Sequence, residues 1–133
     1  MADLKENGSA ILNTGGTAVD LNAVAATTLY EVPAGKKCVV HKIVLRNLSA
    51  TAAITPGQVT FGQVGALTDF LPAQILTNLD AAAAVGIFIP VPNATTLKSI
   101  EYTAGEIFQA DVTVAAGGAC TCTMDVYGSL ADA

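Results

Sequence analysis

The sequence predicts an all-β chain folded as a single antiparallel β-sandwich, and three observations carry that expectation. Short runs of alternating, β-branched or aromatic residues are separated by Pro and Gly turns, and no apolar pattern holds a helical period for three turns. A chain of 133 residues is long enough for one continuous core and too short for two well-packed ones. Roughly seven short strands fit a two-sheet sandwich, and both jelly-roll and immunoglobulin-like topologies stay open on this pattern.

Residues 1–26 are rich in Gly, Ala and Asn, and Thr14-Gly15-Gly16-Thr17 interrupts any regular pattern. An extended N-terminal arm or a loosely attached first strand is expected there, with the sandwich domain over 27–133. Thr27-Thr28-Leu29-Tyr30-Glu31-Val32 is β-prone, and Pro33-Ala34-Gly35-Lys36 stops it with one residue that presets φ and another that accepts a positive φ. The strand expected over 38–47 is central. Strict alternation puts Val39, His41, Ile43 and Leu45 on one face and Cys38, Val40, Lys42, Val44 and Arg46 on the other.

Pro56-Gly57 precedes a short strand at 58–63. Residues 65–80 do not alternate and contain Pro72, which suggests a long connection with room for a turn of helix. Residues 85–91 are closed by Pro90 and Pro92, as in an edge strand or a strand end, and 97–102 form a further short strand. Ala104-Gly105 marks a turn before 106–114, where Phe108, Ala110, Val112 and Val114 make the core face and Ile107, Gln109, Asp111 and Thr113 oppose them. After a loop at 115–118, Cys120, Cys122, Met124 and Val126 alternate with Thr121, Thr123, Asp125 and Tyr127. A closing hairpin with one buried face is expected from these two segments.

Composition narrows the function. Charged residues are 13% of the chain, against about 25% in ordinary soluble domains, and 52% are hydrophobic. Such a surface is covered with Thr, Asn, Gln and Ala, or is partly buried against other subunits. With 11 acids against 6 bases, the chain is not expected to bind nucleic acid, because a phosphate backbone needs clustered Lys and Arg. Asp3, Lys5 and Glu6 do not fit a secretion signal, and the most apolar run, 81–91, is short of the roughly 20 residues that span a bilayer, so no membrane association is expected. Three cysteines cannot all pair within one chain, and Cys120 and Cys122 fall on one strand face, so free, buried thiols are expected.

Each residue type that could carry chemistry has a plainer reading. His41 is the sole histidine, so a metal site or a Ser-His-Asp triad would have to be built around it, and Cys38 falls on the opposite face of the same strand. Cys120-x-Cys122 is one residue short of a C-x-x-C pair and reads as small apolar core filling. Glu101, Glu106, Asp111 and Asp125 could converge on calcium, but no compact Asp-x-Asp-x-Asp spacing brings them together in sequence. Gly15-Gly16 and Gly117-Gly118 lack the flanking residues of a phosphate loop and read as turns. Tyr30, Tyr102 and Tyr127 could form one small stacking patch, but read more simply as half-buried rings with wet hydroxyls. No catalytic, cofactor-binding or metal-binding residue is assigned, no cofactor is implied, and the chain is not expected to be an enzyme.

The run Thr28-Leu29-Tyr30-Glu31-Val32-Pro33-Ala34-Gly35-Lys36, followed by Val39-Val40-His41-Lys42-Ile43-Val44-Leu45-Arg46-Asn47, resembles the opening hairpin of small β-sandwich virion proteins of tailed phages. Residues 106–128 are similar to their closing strands. The resemblance implies a structural virion component without enzymatic activity, such as a head-decoration protein, a minor capsid protein or a part of the neck or tail. It implies synthesis in the host cytoplasm, a homo-oligomer with a trimer as the preferred form, and contacts with the major capsid or other virion proteins. It transfers no catalytic residue, and 50–80 lie outside it. The alternative is a carbohydrate- or host-surface-binding module that presents loops around Gly57, Gly65 and Ala115.

Overall fold

The structure is a computed structural model that describes residues 10–90 and 101–133. Among these residues it is built from strands alone: β1 (Ala10–Ile11), β2 (Thr17–Asp20), β3 (Ala26–Glu31), β4 (Lys36–Arg46), β5 (Gln58–Gln63), β6 (Ala66–Ile75), β7 (Gly86–Phe88), β8 (Glu101–Thr103), β9 (Ile107–Val114) and β10 (Thr121–Asp132). One sheet runs β1-β10-β4-β7, with β2 also on β10 and β8 also on β4; the other runs β3-β9-β5-β6. Every pairing is antiparallel. The expected two-sheet β-sandwich is therefore the fold.

The inner faces meet in one core. Phe61 on β5 packs against Phe88 on β7 at 5.1 Å between ring centroids, and Tyr102 on β8 meets Phe108 on β9 edge-on at 5.6 Å. Both contacts tie one sheet to the other, and such tilted aromatic pairs add to the area they bury. Phe108, Ala110 and Val112 are buried as alternation requires, as are Cys120, Cys122, Met124 and Val126.

Several expectations change in the folded chain. The turn at 33–36 does not close a hairpin: β3 belongs to the four-stranded sheet and β4 to the six-stranded one, and the loop at 115–118 likewise carries the chain from β9 across to β10. Turn chemistry fixes where a strand stops; it does not say whether the next strand pairs beside it or crosses the core. Residues 65–80 are not a connection with a turn of helix. Most of them form β6, an edge strand whose pairing with β5 shifts register twice, between Val59 and Phe61 and between Phe61 and Gln63. Those bulges erase the alternation, and an edge position tolerates Pro72, which has no N–H to pair.

Strict alternation also fails on β4. Tyr127 lies opposite Lys42 but Gly128 lies opposite Val40, so His41 is an extra residue and the strand changes face there. Cys38 and Val40 are buried before the bulge and Ile43 and Leu45 after it, while His41 is exposed. The close approach depends on Gly128, where a Cβ would run into the Val39 carbonyl oxygen.

Of the N-terminal 26 residues, 1–9 lie outside the described residues, and part of the rest is woven into the sheet. Both β1 and β2 pair with β10, and Val19 and Leu21 are core residues. Asn13 carries the ladder across the gap between them: its side-chain oxygen accepts from the Val126 N–H at 2.7 Å and its amide donates to the Met124 carbonyl at 2.9 Å. The segment looks like a free arm in sequence because Thr14-Gly15-Gly16-Thr17 forms this interruption. The strand expected over 97–102 is described only from Glu101, where it forms β8.

Candidate assembly surface

The residues that could carry chemistry are dispersed. Exposed His41 has the half-buried Ser129 hydroxyl 3.3 Å from its Nε2, and among the described residues no carboxylate hydrogen-bonds the ring to orient it. Cys38, Cys120 and Cys122 are free and buried, as expected. Burial, with a smaller push from Glu106, raises the Cys38 thiol to about 11, and burial with Cys120 nearby raises Cys122 to about 12. Thiols held this firmly in the neutral form are core filling rather than nucleophiles.

The four carboxylates do not converge. Glu101 lies 3.6 Å from Lys37, Asp125 is bound by Arg46, and Glu106 caps its own turn by accepting from the Thr103 N–H and hydroxyl, while Asp111 stands on β9. Among the described residues, no three His, Cys, Asp or Glu side chains are grouped to hold a metal ion.

The tyrosines also part company. Tyr102 is buried rather than half-wet, its hydroxyl donating to Asp69 at 2.9 Å; burial and that carboxylate hold its pKa far above the ordinary phenol value. Tyr30 sits on β3, and Tyr127 on β10 lies under the Lys42 ammonium at 4.9 Å. The loops of the ligand-binding alternative divide as well: Gly57 packs near Ala116 at one end of β5, while Gly65 follows its other end.

Charge is sorted between the sheets. Lys36, Lys37, Lys42 and Arg46, the cations of the described residues, all lie on β4. Their partners belong to the same sheet: Asp132 at 2.6 Å from Lys36, Glu101 beside Lys37, and Asp125 at 2.7 Å from the Arg46 Nε. Asp125 is 4% exposed because the turn at Gly15 and Gly16 lies over it; a Cβ on Gly16 would collide with Thr123 and Asp125. Asp20, Glu31, Asp80, Glu106 and Asp111 have no cation within ion-pair distance among the described residues.

What remains is an apolar surface along one side of the sandwich, where β6 and β7 are the outer strands of their sheets. On β7, Phe88 turns into the core while Ile87, opposite Val44, turns out and is 62% exposed. Val85 and Ile89, two residues to either side, are 61% and 56% exposed, and Ile75 at the end of β6 is 58% exposed. A groove of about 310 Å³ lies between Ile75, Val85 and Ile87, over Leu76, Leu79 and Phe88. Gln74 and Asn78 supply its polar edge, and none of its lining residues is charged. The alternation of Val85, Ile87 and Ile89 with Gly86 and Phe88 was visible in sequence. Its outward half was not, because a three-residue strand between an alanine run and Pro90 does not say which side is wet.

No protein-family model matches the chain, and no curated protein matches it. Among solved structures, a chain of the cyanophage Pam1 capsid asymmetric unit is similar over 86% of this chain and 81% of that one, with a TM-score of 0.49 and 16% sequence identity. Likeness at this level carries no argument about function.

Proposed function

We propose that the chain is a non-enzymatic structural subunit of a phage virion, a head-decoration or minor capsid protein that acts through contacts between subunits. The observation that carries this reading is the uncharged aliphatic surface of Ile75, Val85, Ile87 and Ile89 on a chain with few charges elsewhere. A contiguous apolar surface in water is a liability that burial against a partner removes. The scatter of every group that could do chemistry supports the same reading. The strand order favours a jelly roll over the immunoglobulin alternative: successive strands cross between sheets at β2–β3, β3–β4, β4–β5, β6–β7, β8–β9 and β9–β10. The test is binding of the labelled, purified chain to capsids of the phage that encodes it. Saturable binding at a fixed ratio to the major capsid protein is expected; a chain that stays in solution while capsids sediment would refute the reading.

A further inference from the structure

We draw no further inference here: the strongest candidate, the apolar groove between β6 and β7 lined by Ile75, Val85 and Ile87, carries nothing further because nothing in the structure shows what covers it.

Discussion

Gly128→Ala tests the bulge that reverses the faces of β4. In the native pairing a Cβ at this position would strike the Val39 carbonyl oxygen, with the Leu12 Cδ1 at 2.9 Å and the Val39 carbonyl carbon at 3.2 Å. Leu12 can rotate away; the carbonyl belongs to the ladder between β4 and β10, so the backbone itself must move. Forced shifts of this kind cost about 1–3 kcal/mol. Replacing Gly with Ala restricts the unfolded chain and returns about 0.4–1 kcal/mol. Because backbone rather than a side-chain end must move, the cost of the shift falls in the upper part of its range; the net loss is then about 1–2 kcal/mol, which for a chain of this size lowers Tm by roughly 4–8 °C. Thermal unfolding at one fixed protein concentration reads this loss without interference from assembly. Gly118→Ala is the control: its only close neighbour is the Ile54 Cδ1 at 3.1 Å, the end of an exposed side chain, and its stability should match or slightly exceed that of the native chain. A G128A protein within about 0.3 kcal/mol of native would refute the tight approach and the account of the bulge built on it.

Three further outcomes follow from the same contacts. Phe61→Ala, at a fully buried ring that touches Phe88 across the core, should cost about 3–5 kcal/mol in urea unfolding. Asp125→Ala removes the acceptor that holds Arg46 under the Gly15-Gly16 turn; because Arg46 is partly exposed and can rehydrate, the loss should be about 1–2 kcal/mol, with faster proteolysis at 12–17. Stability should fall as pH rises above the ordinary thiol value near 9. Between there and about 11 for Cys38 or 12 for Cys122, the unfolded chain releases protons that the folded chain keeps. The decline between pH 8 and 10 should be shallower in a Cys38→Ala, Cys122→Ala protein, and an equal slope would contradict the burial argument.

The sequence pattern carried the fold as far as local rules reach. Alternation on β9 and β10 identified Phe108, Ala110, Val112, Cys122, Met124 and Val126 as core, because neither run is interrupted inside that span. It misassigned half of β4 because His41 is an inserted residue whose cause, Gly128, lies on a distant strand. It missed β6 because two bulges and Pro72 removed the period. The tight turn at 33–36 and the loop at 115–118 were correctly placed, yet their sheet crossings depend on the whole sandwich. Of the candidate surface, low charge pointed to buried contacts in general; the position of the patch required knowing that β6 and β7 are edge strands on the same side.

The central claim is that this chain is a stoichiometric part of a virion. It is tested most directly by counting the chain in purified, salt-washed particles of its phage, using quantitative mass spectrometry of its peptides against those of the major capsid protein. The account predicts a fixed ratio between the two that persists through gradient purification. A chain found only in the soluble lysate, or in particles at trace and variable amounts, would contradict it.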